Sequence, residues 1–429
     1  MIPKWFQTNS LWMVTLTAMK RFASTTYATK YLKPRYTEAV LTLKNEKQFN
    51  AKNYGHPVQK PLRSHIVFTT SPTGYVESMT DKSFTGQILT FTQPLIGNYG
   101  VPSMNKVDEY GLPLHGESFD AHPDAIVVQD YALRYSHFEA IMSLAEWCKQ
   151  QCVPLLSGID VRQLVHYMRD GCGLATISSS PLNKFEDPKF QNLVAKVSTQ
   201  EPYTINPEGK YRVAMLDFGA KANILRELVQ RDCQILVLPW NTDLSNVLKF
   251  KKFHGIFLTN GPGDPATLKK PIQYLKNTLQ WLQMNDPTMP VFGICMGHQI
   301  LASALGLSTY KMDYGNRGHN QPVQCSETHN LLITSQNHGY AVKMPRDRML
   351  SDYGIIQSTH KNLNDGSNEG IRHSMYPWNS VQFHPEATAG PYDAKYWFDG
   401  FINEMQQHLE TRNERGLSGF ELGEGMKRI

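Results

Sequence analysis

The residues best suited to covalent chemistry lie where an apolar strand meets a helix. The run F-G-I-C-M-G, residues 292–297, places Gly293 and Gly297 on either side of Cys295 in a G-x-C-x-G pattern. A sharp strand-to-helix turn needs small residues beside the nucleophile and exposes that side chain at the carboxyl edge of a sheet. A helix N-terminus beside the sulfur also favours the thiolate. Cys295 is therefore predicted to be a nucleophile, and the other five cysteines are expected to be structural thiols.

A histidine and a glutamate follow a strand-like run closer to the C-terminus, in the sequence V-Q-F-H-P-E that ends at Glu386. A thiol nucleophile needs a base that takes its proton, and the base needs an acidic group that orients it. His384 and Glu386 fit these two roles. A lone histidine is more often an ordinary core or surface residue, and the chain has 15 of them. The prediction therefore depends on the order Cys295, His384, Glu386.

A glycine-rich loop, T-N-G-P-G-D-P at residues 259–265, follows another apolar strand. Glycines let backbone N–H groups approach a bound group closely. An oxyanion site needs such groups, here one from Gly261 and one from Met296, the residue after the nucleophile. Ordinary turns share this composition, but the carboxyl end of a strand is where open α/β sheets bind ligands.

Strands and helices alternate around these motifs. Strands are predicted at 212–216, 234–238, 255–259 and 290–294, and helices up to 229, near 271–284 and from 299 to 305. Near-continuous apolar strands that alternate with helices predict a parallel sheet covered on both faces. Upstream, strands are predicted at 65–69 and 87–91, helices at 135–152 and 161–169, and a loop at 44–53. The upstream region is therefore expected to be a mixed α+β domain.

Changes in composition suggest five segments. They are a leader at 1–30, an N-terminal domain at 37–197, a linker at 198–210, a C-terminal α/β domain at 211–408 and a polar tail at 409–429. The linker is predicted from its polar side chains, two prolines and one glycine. The glycine-rich end of the tail is expected to be mobile.

The leader has the composition of a mitochondrial transit peptide. The first 37 residues contain six lysines and arginines, several hydroxyl residues and no acidic residue. A positively charged amphipathic segment suits import into mitochondria, so the matrix is the predicted location. A disordered tail on a cytoplasmic protein and a secretory signal are the alternatives. The Lys20–Arg21 pair after the apolar stretch weakens the secretory alternative.

The remaining composition excludes several classes. The net charge is +5, and because the leader carries most of it, the body gives no electrostatic support for nucleic-acid binding. The six cysteines form no close C-x-x-C pair, so no metal site is predicted. No run of apolar residues is long enough for a membrane helix.

Taken together, the three motifs resemble the class I (triad) glutamine amidotransferases over residues 211–408. Residues 66–102 resemble the N-terminal domain of carbamoyl-phosphate synthetase small subunits, and the resemblance to that subunit extends over 64–408. The segments D-F-G-A-K at 217–221, G-N-R-G-H-N-Q-P at 315–322 and Q-N-H-G-Y at 336–340 are also similar. The resemblance implies a doubly wound α/β domain preceded by the mixed N-terminal domain.

The resemblance also implies roles for individual residues. It makes Cys295, His384 and Glu386 the catalytic triad. It implies glutamine contacts from Ser83, Gly261, Gly263, Met296, Gln299, Asn337, Gly339 and Tyr340. Three positions depart from the common pattern: Lys82 replaces a proline, Met296 a leucine and Tyr340 a phenylalanine. Because Ser83 lies in the other domain, the glutamine site is expected to span a domain interface.

The implied reaction converts L-glutamine and water to L-glutamate and ammonia, with no cofactor on this chain. The ammonia would pass to a large subunit that uses bicarbonate and ATP to make carbamoyl phosphate, as a heterodimer or higher oligomer. The sequence has no G-x-x-x-x-G-K-[ST] phosphate loop, which agrees with ATP chemistry elsewhere. The leader favours the arginine-biosynthetic enzyme over the pyrimidine one.

Three alternatives remain open at this level. One is a class I amidotransferase subunit for anthranilate or GMP synthesis, although such subunits lack the upstream domain. Another is a cysteine peptidase or thioesterase with the same strand-to-helix turn. The third is a non-catalytic regulatory or scaffolding subunit, against which the intact triad argues.

Overall fold

The computed structural model describes residues 35–181 and 192–414. The predicted leader, 1–30, lies outside the described residues, and so do residues 415–429 of the predicted tail. The compact unit that contains all the candidate site residues begins at Thr37. It consists of an N-terminal barrel and a C-terminal sheet with helices on both faces.

The described N-terminal residues form eleven strands and four helices. The strands are β1 (Thr37–Leu43), β2 (Gln48–Asn53), β3 (Leu62–Thr69), β4 (Gln87–Phe91), β5 (Leu95–Ile96), β6 (Val101–Pro102), β7 (Ala125–Val127), β8 (Asp130–Tyr131), β9 (Ala140–Met142), β10 (Leu155–Ser157) and β11 (Leu174–Ser178). The helices are α1 (Tyr75–Thr80), α2 (Leu144–Gln150), α3 (Val161–Arg169) and α4 (Val194–Val197), with a 3-10 turn at Lys82–Phe84. Seven strands close into a barrel in the order β1-β11-β3-β4-β7-β10-β2.

Two predictions for this half are wrong. The stretch 44–53, expected to be a loop, contains β2, in which exposed polar residues alternate with buried ones such as Phe49. The alternation fits a barrel strand with one solvated face, but the polar composition hides it. The helix expected over 135–152 is reduced to α2, because a capping box at Ser143 fixes its first turn and β9 precedes it.

The C-terminal half adds eleven strands and five helices among the described residues. The strands are β12 (Tyr203–Ile205), β13 (Tyr211–Asp217), β14 (Cys233–Pro239), β15 (Gly255–Leu258), β16 (Val291–Ile294), β17 (Thr309–Cys325), β18 (Leu331–Val342), β19 (Arg348–Ser351), β20 (Gly354–Asn362), β21 (Asn368–His373) and β22 (Trp378–Val381). The helices are α5 (Ala222–Val229), α6 (Leu244–Phe250), α7 (Lys269–Asn285), α8 (Met296–Ala304) and α9 (Tyr396–Glu414), with a 3-10 turn at Pro265–Thr267.

These eleven strands form one sheet in the order β12-β14-β13-β15-β16-β22-β21-β18-β17-β20-β19. The pairs among β14, β13, β15, β16 and β22 are parallel, as the apolar strand runs predict. Alternate residues of β13 enter two cores: one contains side chains of α6, α7 and α8, the other those of α5 and α9. The predicted doubly wound sheet is therefore confirmed. The antiparallel extension from β21 to β19 is a feature that the strand–helix alternation does not predict.

The predicted linker and the predicted start of the tail both differ from the structure. Residues 198–210, predicted as a linker, include β12, which pairs antiparallel with β14 at the sheet edge. An edge strand tolerates polar residues and flanking prolines, so composition alone does not distinguish it from a linker. Helix α9 continues to Glu414, past the predicted start of the tail at 409. None of the described helices is long and apolar enough to cross a membrane.

Candidate active site

Cys295 lies at the junction of β16 and α8, in a backbone conformation that only a tight turn imposes. Its φ is 54° and its ψ is −101°, an uncommon region for a residue with a side chain. A Cβ on Gly297 would collide with the backbone carbonyl of Leu258, and a Cβ on Gly293 would lie 2.7 Å from the Gly297 carbonyl carbon. The two glycines are therefore required by close backbone approach, and the strand-to-helix turn has the geometry that the sequence predicts.

The thiol of Cys295 is enclosed. The side chain is buried, and its sulfur lies 3.6 Å from the backbone oxygen of Asn337, which accepts the S–H. Burial raises the pKa of the thiol to about 12, and the carboxylates of Asp81 and Glu386 act in the same direction. The cation of Lys221 and the helix N-terminus favour the thiolate, but they do not offset the rise in pKa caused by burial. The resting nucleophile is therefore a thiol that needs a base.

His384 and Glu386 form the second part of the site, just beyond β22. Both are buried, and the Nδ1 of His384 lies 2.6 Å from Oε1 of Glu386. A carboxylate only accepts, so Nδ1 carries the proton and Nε2 presents a lone pair. Among the described residues Nε2 has no hydrogen-bond partner, although it is buried. The imidazole is thus oriented as a base whose reactive nitrogen is unoccupied.

A buried lysine joins the triad to the N-terminal half. The Nζ of Lys221, at the start of α5, lies 3.3 Å from Oε1 of Glu386 and 3.6 Å from Oδ2 of Asp81. Burial alone would raise the pKa of each carboxyl group, but Lys221 and His384 outweigh it, and both pKa values are lowered. The two carboxylates in turn hold the pKa of Lys221 above its usual value. The cluster therefore keeps Glu386 ionised, as its orienting role requires.

A third carboxyl group lies in the same cluster. Glu117 comes from the loop between β6 and β7, and its Oε2 accepts the backbone N–H of Asn223 at 3.1 Å. Burial raises the pKa of Glu117 to about 7; Lys221 opposes this, while Glu386 reinforces it. Glu117 therefore keeps its proton to a higher pH than an exposed glutamate does. Sequence reasoning assigned no role to Glu117, Asp81 or Lys221, and the signal for Lys221 was the segment D-F-G-A-K after β13.

A cavity of about 370 Å³ opens at Cys295. Nine of the eleven predicted site residues line it, and the other two, His384 and Glu386, are fully buried, with Glu386 close enough to act on the pKa of the thiol. The lining residues are Ser83, Gly261, Gly263, Cys295, Met296, Gln299, Asn337, Gly339 and Tyr340. Ser83 comes from the barrel half and the others from the sheet half, so the cavity is built from both.

Hydrogen bonds fix the polar walls of this cavity. Asn260 donates from Nδ2 to Oγ of Ser83 at 2.9 Å, which ties the glycine loop to the N-terminal half. Asn337 similarly donates from Nδ2 to Oδ2 of Asp81 at 2.9 Å. Gln299 donates from Nε2 to the backbone oxygen of Tyr340 at 2.8 Å. These contacts leave the cavity preformed rather than assembled by a ligand.

Close backbone packing fixes the glycine loop of the cavity, and Tyr340 supplies a neutral aromatic side chain in its wall. Gly261 packs so closely on the backbone of Phe218 that a Cβ would collide with its carbonyl, and Gly263 has a φ of 94°. Both positions therefore need glycine. Burial and the neighbouring Asp264 raise the pKa of Tyr340 to about 12, so its ring stays neutral and its hydroxyl protonated.

Arg317, in the segment G-N-R-G-H-N-Q-P, also lines the cavity, although no role was predicted for it. Its guanidinium donates from Nη1 to the backbone oxygen of Tyr314 at 2.8 Å, while Nε is buried without a partner among the described residues. Burial lowers the pKa of Arg317 to about 10, and the nearby Cys295 only partly opposes this. The cavity therefore contains a cation close to the nucleophile that composition could not distinguish from a surface arginine.

Two family models match this chain. Glutamine amidotransferase class-I matches residues 214–404, and the CPSase domain of the carbamoyl-phosphate synthase small chain matches residues 41–177. A Schizosaccharomyces pombe relative named carbamoyl phosphate synthase arginine-specific small chain is 45% identical, over 87% of this chain and 89% of its own length. This chain belongs to the carbamoyl-phosphate synthase small-chain family.

Two further relatives of the same name support this assignment. The small chain from Debaryomyces hansenii is 46% identical, over 87% of this chain and 86% of its own length. The small chain from Saccharomyces cerevisiae is 42% identical, over 89% of this chain and 92% of its own length. A small chain of this synthase implies a large-subunit partner, and the family resemblance deduced from the sequence motifs is confirmed.

Proposed function

We propose that this small chain is the glutaminase subunit of an arginine-specific carbamoyl-phosphate synthase and hydrolyses L-glutamine at Cys295. The observation that supports this most directly is the buried constellation beside the cavity. A thiol on a strained turn, an imidazole with a free Nε2 and an ionised Glu386 occupy one site. Each is the group that thiol-based acyl transfer needs in that role.

The first step forms a thioester. His384 takes the thiol proton on Nε2, and the sulfur of Cys295 attacks the side-chain amide carbon of glutamine. Because the resting thiol donates to the Asn337 carbonyl, it first turns toward His384. The backbone N–H groups of Gly261 and Met296 are proposed to hold the resulting oxyanion, and one such donor is worth about 3–4 kcal/mol.

The second step releases both products. His384 returns the proton to the leaving nitrogen, the C–N bond breaks, and ammonia leaves the γ-glutamyl thioester. A water molecule then gives a proton to His384 and attacks the thioester carbon. Collapse of this intermediate breaks the C–S bond and restores the thiol, and glutamate is released. Glu386 stays ionised throughout and stabilises the imidazolium that forms twice.

The cavity walls suit the amino-acid end of glutamine. Both amide hydrogens of Gln299 are used, one by the Tyr340 carbonyl at 2.8 Å and one by Oε1 of Gln382 at 3.0 Å. Its Oε1 is therefore left as an acceptor, which suits a substrate ammonium group. Ser83 and the backbone of Gly263 are proposed as donors to the substrate carboxylate.

The partner and the compartment are also proposals. A large subunit that uses ATP and bicarbonate would consume the ammonia, in a heterodimer or higher oligomer. The basic, acid-free leader at 1–30 supports import into the mitochondrial matrix. Affinity purification of the full chain from separated mitochondrial and cytoplasmic fractions tests both proposals. Recovery of the chain with an ATP-dependent synthetase is expected, and recovery only from the cytoplasm would contradict the matrix assignment.

The decisive test of function compares two nitrogen sources in the assembled enzyme. Cys295→Ser should lower glutamine-dependent carbamoyl phosphate formation by at least about a thousandfold, the scale at which loss of a triad nucleophile acts. Ammonia-dependent formation should persist, because ATP chemistry belongs to the partner. Equal glutamine-dependent rates in the variant and the wild type would reject the function. Hydrolysis of peptides or simple thioesters in preference to glutamine would favour a peptidase or thioesterase instead.

A further inference from the structure

A buried polar cluster lies behind the strand that forms one wall of the glutamine cavity. The carboxyl group of Glu369, on β21, is fully buried and accepts from Nδ2 of Asn362 at 3.2 Å and from Oγ of Ser367 at 3.3 Å. Nε2 of His338, on β18, lies 3.8 Å from Oε1 of Glu369. Oε2 of Glu369 is buried without a partner among the described residues. None of the catalytic steps uses this carboxyl group.

The cluster is connected to the cavity wall by two routes. His338 bonds through Nδ1 to the backbone oxygen of Tyr340 at 2.9 Å, and Gln299 donates to the same oxygen at 2.8 Å. The backbone oxygen of Glu369 accepts from the backbone N–H of Gln382 at 2.9 Å, and the side chain of Gln382 bonds to Gln299. Both routes therefore meet at Tyr340 and Gln299, which line the cavity.

The donors and acceptors of the cluster leave one proton unassigned. A carbonyl oxygen only accepts, so Nδ1 of His338 carries a proton toward Tyr340. Nε2 of His338 lies 3.0 Å from the side-chain oxygen of Gln336, also an acceptor. The Gln336 amide cannot easily be reversed. Its nitrogen donates to Oγ1 of Thr334 at 3.2 Å, and the Thr334 hydroxyl proton is already donated to the backbone oxygen of Gln321. After reversal, the Gln336 oxygen would face Thr334 without a donor.

The missing proton must therefore reside on His338 or on Glu369. If it is on Nε2, an imidazolium donates to Gln336 with the Glu369 carboxylate as its counter-charge. If it is on the carboxyl group, both residues are neutral, and the carboxyl group becomes the donor to Nε2 once the two side chains close the present gap of 3.8 Å. A buried pair this close titrates as a unit, so the proton belongs to the pair rather than to one residue. Without it, two acceptors would face each other in a buried site.

We propose that the His338–Glu369 pair is a proton-holding positioning site that fixes the cavity wall at Tyr340. With the proton present, the imidazole is anchored at both nitrogens and holds the Tyr340 carbonyl, which in turn orients the Gln299 amide. When the proton is lost, the anchor at Nε2 is lost and glutamine binds more weakly. This inference rests on the proposed function, since it concerns how the same cavity holds glutamine.

Burial and the surrounding charges indicate that the proton is lost at alkaline pH. Burial raises the pKa of Glu369 to about 8, and Asp365, in the turn before β21, acts in the same direction. On the other partner, burial lowers the pKa of His338, as do Arg317 and His384, while Asp365 raises it. These opposite directions place the proton on Glu369 at neutral pH, and the carboxyl group loses it as the pH rises through about 8.

The test measures KM and kcat for glutamine against pH in the assembled enzyme. In the wild type, KM is expected to rise about tenfold between about pH 8 and 9, with little change in kcat, as loss of one proton requires. Glu369→Gln keeps a neutral donor at this position at every pH. It should therefore retain KM within about threefold of the wild type at neutral pH and show no comparable alkaline rise.

Two more variants complete the design. Glu369→Met removes every donor and should raise KM about tenfold at neutral pH, with a smaller effect on kcat. Glu404→Gln is the matched control, because Glu404 on α9 is a carboxyl group with a pKa raised by burial to about 7 that bonds to Asn379 away from the cavity. It should keep the alkaline rise of the wild type. The substrate ammonium group titrates equally in all four enzymes.

The outcomes separate the inference from the proposed function. An unchanged alkaline rise in Glu369→Gln overturns the inference, and so does a Glu369→Met enzyme with lower kcat at an unchanged KM. If Glu369→Met fails to fold, the comparison of Glu369→Gln with Glu404→Gln still decides. Failure of the proposed function would look different, because the wild type itself would then release no glutamate from glutamine.

Discussion

One buried cation among three buried carboxyl groups sets the electrostatics of the site. Lys221 lies within 3.6 Å of Asp81 and within 3.3 Å of Glu386, and all three side chains are almost fully buried. Taking these charges out of water is costly, and their mutual attraction offsets that penalty only while every partner is present. The stability of the cluster and the ionisation of Glu386 therefore depend on the same lysine.

Lys221→Met should accordingly destabilise the protein by about 3–5 kcal/mol, because it leaves two buried carboxylates without a counter-charge. It should also lower kcat, because Glu386 is then less fully ionised. The measurements are urea unfolding and glutamate release from glutamine. Lys395→Met is the control. Lys395 is partly exposed, and its buried partner Glu227 keeps a second cation in Arg231 at 2.7 Å, so a change of about 1 kcal/mol or less is expected. Equal effects of the two substitutions would show that the cluster is not coupled as described.

Glu117 should make the free energy of unfolding fall as the pH rises. Burial raises its pKa from 4.5 to about 7, so between these values the folded chain holds a proton that the unfolded chain releases. Its contribution is fully present below about pH 4.5, falls as the pH rises and is lost above about pH 7. Relative to Glu117→Gln, the wild type should lose about 3 kcal/mol of stability over this range. Parallel stability curves for the two proteins would contradict the assignment.

The sequence predicts some of these site residues and not others. Cys295, His384 and Glu386 were predictable, because each lies in a recognisable local sequence pattern. A thiol nucleophile also needs a base and an orienting carboxylate, so the three predictions support one another. The roles of Lys221 and Glu117 were not predictable, because they depend on contacts with residues more than a hundred positions away in the chain, although Lys221 lies in the segment D-F-G-A-K. A sequence does not show whether a lysine is buried or exposed, and only the fold distinguishes the two cases.

At the scale of elements, the turn between β16 and α8 positions the nucleophile by close backbone packing. Gly297→Ala should destabilise the protein by about 1–3 kcal/mol or more and lower kcat, because the new methyl group displaces either the turn or the Leu258 carbonyl. Thermal unfolding and glutamine hydrolysis measure the two effects. Gly400→Ala in α9 is the control, since a Cβ there meets no atom within 4 Å. Alanine should stabilise that helix by about 0.5–1 kcal/mol. A Gly297→Ala protein with wild-type stability and activity would contradict the proposed packing.

The elements that were predicted correctly share a physical property. Strands such as β4 and β13 are buried and apolar, and α3 and α7 have clear helical periodicity, so their patterns reflect local burial. Strand β2 was missed because one of its faces is solvated and polar, and β12 because it is a polar edge strand. Closure of the barrel was also unpredicted, because it depends on pairing between strands far apart in sequence, such as β1 with β11.

At the scale of the whole molecule, the barrel and the sheet are joined through the active site itself. Asn260 bonds to Ser83, Asn337 bonds to Asp81, and the backbone N–H of Ala222 donates to the Glu117 carbonyl at 2.9 Å. Separating the halves would expose the buried charge cluster as well as the cavity. The barrel and the sheet are therefore expected to open together as one cooperative unit.

Hydrogen exchange followed by mass spectrometry tests this prediction. Peptides from barrel strands β3 and β4 and from sheet strands β13 and β16 should show the same opening free energy for the slowest amides. Lys221→Met should lower this value in both halves together, because it acts at their junction. Protection that is lost from the barrel alone, while the sheet remains protected, would show that the halves are independent.

Cys295 is expected to form a covalent γ-glutamyl intermediate during turnover, and the capture of that intermediate is the most direct measurement. The full chain in its assembled enzyme is mixed with labelled glutamine, quenched in acid within one turnover and digested for mass spectrometry. The glutamyl adduct is expected on the peptide that contains Cys295, and it should be absent from Cys295→Ser. Glutamine hydrolysis without an adduct at Cys295, or with the label on another cysteine, would contradict the account.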